Sequence, residues 1–212
     1  VTYTIGDGNA NGDFSGAITQ FGVVSVTKIG TGTQILSGDS TYTGATTINA
    51  GKLQVDGSLS ASSAVTVNSD GTLGGSGTVG AVTVNDGGHL APGSSPGTLN
   101  TGTLVLNAAS VLDFELGSLT GANDKVAVDG DLTLDGILNV TALTGFQAGQ
   151  YTLLTYTGSL TDNGLSLGTM PGAFTYSIDT ATSGSVILNV VPEPATMAIL
   201  ALGGLGVILR KR

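Results

Sequence analysis

Thr47-Ile48-Asn49-Ala50-Gly51-Lys52-Leu53, Thr66-Val67-Asn68-Ser69-Asp70-Gly71-Thr72-Leu73 and Thr83-Val84-Asn85-Asp86-Gly87-Gly88-His89-Leu90 are three variants of one phrase. Each has a β-branched pair, an Asn, a Gly turn and a closing Leu. The asparagines Asn49, Asn68 and Asn85 follow one another at 19 and 17 residues. A looser fourth copy runs from Leu104 through Asn107 to Leu112. Strands and Gly turns recurring near every 20 residues are the mark of a β-solenoid, in which each coil covers its neighbour's apolar face. The phase predicts Ile48, Val67 and Val84 stacked inward, and Leu53, Leu73 and Leu90 likewise, with the asparagines in a ladder at one corner. An antiparallel sandwich would also carry regular turn signals, but the in-phase copies favour the solenoid.

Composition agrees with an all-β chain. The 212 residues hold 35 Gly and only 10% charged residues, against a usual ~25%, too few for a helical protein. A hydrophobic share of 40% argues against disorder. Six Asp-Gly pairs punctuate short alternating runs, and this dipeptide favours tight reversals. Without Cys there are no disulfides, thiolate metal sites or Cys nucleophiles. The net charge of −9 hides an asymmetry, because Arg210, Lys211 and Arg212 supply half of the six cations. Residues 1–190 carry three Lys against fourteen acids, 3 − 14 = −11, so nucleic acid is not an expected partner.

The solenoid is expected over 1–117. Residues 118–190 read as closing coils or a β-rich cap: Val126 to Val140 holds three short strands around two Asp-Gly turns, and Tyr151 to Tyr156 and Ala173 to Val191 look hairpin-like. Such a cap would shield the open edge from end-to-end pairing. The chain opens on Val1-Thr2-Tyr3-Thr4-Ile5, with neither Met nor a basic leader, and is read as a processed or truncated end.

The stretch from Lys28-Ile29-Gly30-Thr31-Gly32 through Ser37-Gly38, Thr41-Tyr42-Thr43-Gly44 and Ala50-Gly51-Lys52-Leu53 resembles the autotransporter-associated β-strand repeat. Leu90-Ala91-Pro92-Gly93-Ser94-Ser95-Pro96-Gly97-Thr98-Leu99 is similar to a segment common after such repeats. The resemblance implies a right-handed parallel β-helix on a bacterial surface protein. The segments past residue 117 are too few and too polar to be expected to form a translocating barrel.

Val191-Pro192-Glu193-Pro194 is followed by fifteen uncharged residues, 195–209, and then Arg210-Lys211-Arg212. Both prolines are expected to stop a β ladder and leave the approach extended and unpaired. A helix over 195–209 would span ~22 Å, short of the ~30 Å hydrocarbon core, with its basic end cytoplasmic. The order Pro192-Glu193-Pro194, apolar helix and basic cluster resembles the PEP-CTERM sorting domain. That implies an exosortase-type sorting enzyme as partner, transient inner-membrane insertion, cleavage near Pro192–Pro194, and a Gram-negative host that makes exopolysaccharide, itself a further partner. The chain would be membrane-anchored before sorting and then sit on the cell surface or in the extracellular matrix. The alternative is a tail anchor that is never cut.

Other patterns carry less chemistry. Gly75-Ser76-Gly77-Thr78-Val79-Gly80 fits the dinucleotide glycine pattern, but no helix or βαβ unit surrounds it. Asp124, Asp129, Asp131 and Asp135 form the densest acidic cluster; Asp129, Asp131 and Asp135 are weak metal candidates, yet the tandem nonapeptide of calcium repeats is missing. His89, the only histidine, occupies the repeat position of Lys52 and Thr72 and reads as an outward side chain. Tyr42 belongs to the repeat and reads as packing. No cofactor or catalytic residue is expected. Two classes remain: a non-enzymatic structural or adhesive surface protein, and a polysaccharide lyase or hydrolase on a pectate-lyase-like β-helix. With no Arg and three Lys in the body, a lyase base is hard to supply, which favours the first.

Overall fold

A computed structural model describes residues 1–19 and 22–193. Strands come in coils. β1 (Thr2–Ile5) and β2 (Gly12–Phe14) form the first, β3 (Ser25–Lys28) and β4 (Thr33–Leu36) the second, β5 (Thr46–Ile48) and β6 (Gly51–Val55) the third, and β7 (Val65–Val67) and β8 (Gly71–Gly75) the fourth. A third side is added in the fifth, β9 (Val82–Val84), β10 (His89–Pro92) and β11 (Thr98–Thr101). The sixth is β12 (Leu104–Leu106), β13 (Val111–Leu116) and β14 (Lys125–Val128); the seventh is β15 (Leu132–Leu134), β16 (Ile137–Ala142) and β17 (Gly149–Tyr156). β18 (Leu160–Asp162) and β19 (Ser166–Leu167) begin an eighth, and β20 (Phe174–Asp179) and β21 (Ser185–Pro192) end the described chain.

These strands build two 8-stranded sheets, β1-β3-β5-β7-β9-β12-β15-β18 and β2-β4-β6-β8-β10-β13-β16-β19, whose pairings are all parallel. The architecture is therefore all-β with stacked parallel coils, as a β-helix requires, and not an antiparallel sandwich. The parallel stacking runs on through β18 and β19, so 118–190 holds both further coils and an antiparallel closure. In the third sheet β11, β14 and β17 are parallel, while β21 pairs antiparallel with β17 and β20.

The predicted rows form. Ile48 pairs with Val67, and Val67 with Val84, all with no exposure. Leu53, Leu73, Leu90, Leu112 and Leu138 make the matching row of the second sheet, equally buried. Asn68 Nδ2 donates to Asn49 Oδ1 at 2.7 Å, Asn85 Nδ2 to Asn68 Oδ1 at 2.8 Å and Asn107 Nδ2 to Asn85 Oδ1 at 3.1 Å, so the ladder includes the looser fourth copy.

Two polar groups enter the core with their partners. Lys28 continues the Ile48 row and is fully buried, its Nζ donating to the carbonyls of Ile29 (2.7 Å), Gly30 (2.8 Å) and Ala50 (3.0 Å). Burial lowers its pKa. Tyr42, also without exposure, hydrogen-bonds Thr46 Oγ1 at 2.6 Å, and Thr46 in turn meets Ser63 Oγ at 3.0 Å. This is the packing role expected of Tyr42.

The far end is closed by aromatic rings. Phe146 stacks on Tyr151 with centroids 5.3 Å apart and meets Phe174 edge-on at 5.5 Å. The Tyr151 hydroxyl donates to Gly117 O at 2.8 Å.

One expectation at the tail is corrected. Val191 and Pro192 are not unpaired: they continue β21 opposite Thr175 and Phe174, and the Glu193 N–H donates to Ala173 O at 3.3 Å. Pro192 fits because the β17 side of β21 ends at Val190, so the proline's missing N–H costs no ladder bond there. The membrane helix expected at 195–209, together with Pro194, Arg210, Lys211 and Arg212, lies outside the described residues. Among those described, no helix is long and apolar enough to cross a membrane.

Candidate functional site

Strand alternation turns every second residue of the second sheet to solvent, and this face collects the polar side chains. Lys52, Thr72 and His89 stand in one register row, as the repeat predicts. On β13 the order Val111-Leu112-Asp113-Phe114-Glu115-Leu116 buries Leu112, Phe114 and Leu116 and leaves Asp113 and Glu115 outward, two residues apart. His89 Nδ1 lies 2.6 Å from Asp113 Oδ2, and Asn139 Nδ2 donates to Asp113 Oδ1 at 2.9 Å. His89 thus has an orienting carboxylate.

Beside this pair is a cleft of about 350 Å³ lined by Lys52, Gln54, Ser94, Ser95, Asp113 and Glu115 among others. Its rim is the Gly93–Gly97 loop, which contains a cis Ser95–Pro96 bond. Ser94 Oγ donates to Asp56 Oδ1 at 2.6 Å and Gln54 Nε2 to Asp56 Oδ2 at 2.7 Å. Burial works to raise the Asp56 pKa, but hydrogen bonds from Ser94, Gln54 and the Ser76 N–H, with the nearby Lys52 charge, hold it below the usual carboxylate range. Ser95 Oγ donates to Glu115 Oε2.

Asp124 sits behind the loop with 1% exposure, taking the Gly97 N–H at 2.9 Å and the Glu115 N–H at 2.7 Å. Burial pushes its pKa up to about 6, with the Glu115 charge adding to the rise, against the two N–H bonds and Lys52. Sequence reading groups Asp124 with the turn aspartates; the fold separates it from them as a loop anchor. Asp113 and Glu115 were not anticipated as neighbours in a cleft, although the alternation along β13 carries the signal. Each of these carboxylates accepts hydrogen bonds from the protein, so the cleft is a braced polar surface.

Asp129, Asp131 and Asp135 are held at turns. Asp129 Oδ1 accepts from Thr157 Oγ1 at 3.1 Å, Asp131 Oδ1 from the Ser159 N–H at 2.7 Å and Asp135 Oδ1 from the Gly136 N–H at 2.8 Å. Among the described residues no group of three or more His, Cys, Asp or Glu side chains is placed to hold a metal ion. The glycines of 75–80 are corner residues: Gly75 has φ +107°, and a side chain at Gly77 would run into the Gly57 carbonyl of the coil below. At the sorting motif, Pro192 is half-buried and Glu193 exposed.

The chain carries a passenger-associated transport repeat, matched over residues 26–55, and a PEP-CTERM protein-sorting motif, matched over residues 190–212. The repeat falls on β3 to β6, the second and third coils, which contain Lys28, Tyr42 and the first rung of the asparagine ladder. The chain is also similar to the adhesin BmaC autotransporter of Brucella suis biovar 1 (strain 1330), 47% identical over 115 residues. That similarity covers 50% of this chain but 3% of the relative, so the chain spans a small fraction of the relative's length.

Proposed function

We propose that this chain is a non-enzymatic, exported surface or extracellular-matrix protein: an adhesive β-helix delivered by exosortase-type sorting. The observation that carries the reading is the presence, on one chain, of in-register coils similar to an adhesin and a terminal sorting motif at 190–212. On this reading residues 1–117 are the solenoid and 118–190 its closing coils and cap. The coils wind right-handed, as parallel crossover connections within one sheet do in ~98% of cases. Residues 195–209 insert transiently as a short inner-membrane helix, with Arg210, Lys211 and Arg212 on the cytoplasmic side. The sorting enzyme then cleaves near Pro192–Pro194, where the β20–β21 pairing ends, and the body passes to the surface, where exopolysaccharide is a partner.

Mass spectrometry of the protein from its native host tests this. A mature carboxyl terminus near Val191–Pro194 is expected, with Glu193→Ala leaving insertion intact and blocking processing. Recovery of an intact Arg212 terminus from surface material would reduce the segment to a plain anchor.

A polysaccharide hydrolase or lyase is the second reading, favoured by one observation, the outward pair Asp113 and Glu115 in the polar cleft. Against it, His89, Asn139 and Ser95 already engage these carboxylates. Release of new reducing ends or unsaturated products from a polysaccharide panel would select this reading.

A further inference from the structure

A second groove, of about 560 Å³, lies along the corner where the third side of the coils meets the first sheet. Unlike the polar cleft it follows the solenoid axis. Ala61 stands at one end and Thr157 at the other, and between them Thr78, Asn100, Ala127 and Thr155 stand in register, one from each successive coil. Strands in a sheet are ~4.8 Å apart, so the four steps from Ala61 to Thr157 make a groove ~19 Å long. Its wall mixes small apolar residues, Val79 and Ala127 among them, with the Thr78 and Thr155 hydroxyls and the Asn100 amide, whose Nδ2 also donates to Gly77 O at 3.2 Å; among the described residues Asp129 is the one charged side chain lining it.

We propose that this groove binds a linear, neutral polysaccharide strand lying along the solenoid axis. A sugar ring in an extended chain advances about as far as one coil, so a regular polymer meets an equivalent wall position at each step. The outward hydroxyls of Thr78 and Thr155 and the Asn100 side chain suit sugar hydroxyls. Charge selects among polymers: the groove has no cation and the body carries −11, which opposes nucleic acid and acidic glycans. An extended peptide is disfavoured for a different reason. Strand addition needs free backbone groups, and here the N–H groups of Thr78, Val79, Asn100, Asp129 and Thr157 are already bonded to neighbouring coils.

The inference rests on the reading of the chain as a binding and not a catalytic surface protein, and one titration separates the two. The full chain in mild detergent is titrated calorimetrically with cellohexaose, laminarihexaose and mannohexaose, and with hexagalacturonate as the acidic arm. At least one neutral hexamer is expected to bind, more tightly than its trimer, while hexagalacturonate does not. Thr155→Val, which removes one hydroxyl from the outward row, should weaken binding a few-fold. Ala127→Arg, which fills the middle of the groove from an outward position, should abolish it with the circular dichroism spectrum unchanged. No binding of any neutral hexamer, binding indifferent to Ala127→Arg, or equal binding of hexagalacturonate would each overturn the groove assignment and leave the sorting proposal standing. Cleavage of a bound hexamer would instead overturn the non-enzymatic reading and leave the groove.

Discussion

In residues 25–112 each coil is covered by a near copy of itself, whereas residues 146–192 hold the last parallel strands, β17 to β19, and then an antiparallel closure with no copy of the repeat. The first region is held by rows: the same small apolar side chain in the same register, again and again, with asparagines bridging the coils at one corner. The second region is held by unlike parts. Phe146, Tyr151, Phe174 and Tyr176 supply its ring contacts, and in the third sheet the antiparallel pairing of β17, β21 and β20 replaces the parallel ladder. A repeating stack can always accept another coil on its open edge. In the third sheet the antiparallel strands and bulky rings at the end remove that template. In the first coil Val1, Tyr3 and Phe14 are exposed.

The largest effect is expected in the repeating region. Val67 has no exposure and is flanked by Ile48 and Val84, so Val67→Asp places an unpaired carboxylate in the core at a cost of about 4 kcal/mol or more. Loss of the β circular dichroism signal, or a collapsed urea midpoint, is the expected result; a native midpoint would deny that the row is the core.

Next is the joint between the regions. Asp124 titrates near 6 in the fold against 3.8 when free, so the folded state holds its proton more tightly. Its contribution to stability is fully present below pH 3.8 and is lost as pH rises through 6, on the order of 3 kcal/mol. The Asn variant, Asp124→Asn, cannot titrate. Urea titrations from pH 3.5 to 7 should therefore show the wild-type advantage over the variant falling across that window, and a constant difference would remove Asp124 as the cause.

A smaller loss tests the closure itself. Phe146 is only partly buried, so Phe146→Ala should cost about 2 kcal/mol, below the range for a fully buried ring. In a stack of nearest-neighbour contacts, the resulting rise in amide exchange should stay within 146–192 and spare 25–112. Equal loss of protection in both regions would show that they unfold as one unit. The smallest effect is expected from Asn68→Ala, which removes one bond to Asn49 and one from Asn85 at a half-exposed corner. About 1 kcal/mol is expected, read as a modest drop in Tm; no change would make the ladder ornamental.

The repeat made the rows and the asparagine ladder legible, because a parallel coil writes its register directly into sequence spacing. Ile48, Val67 and Val84 could be placed from their phase alone. Lys28 was harder, although its alternation with Val26 points it inward as surely as Ile48. A charged side chain reads as a surface residue until the three carbonyls that hold it are seen.

What the sequence determined by itself was therefore everything periodic: an all-β chain, stacked coils, the inward rows and the corner ladder, together with the two motifs read at about 26–57 and at 191–212. Only the tertiary structure decided which unlike residues meet. It joined His89 to Asp113 across 24 positions, set Asp124 behind a loop 27 residues earlier, and carried Pro192 into a β ladder that its ring was expected to stop. The physical reason is that periodic contacts are set by local spacing, while contacts between different segments depend on how long connections fold back. The number of residues in a turn says nothing about which side chain will face it from the next coil.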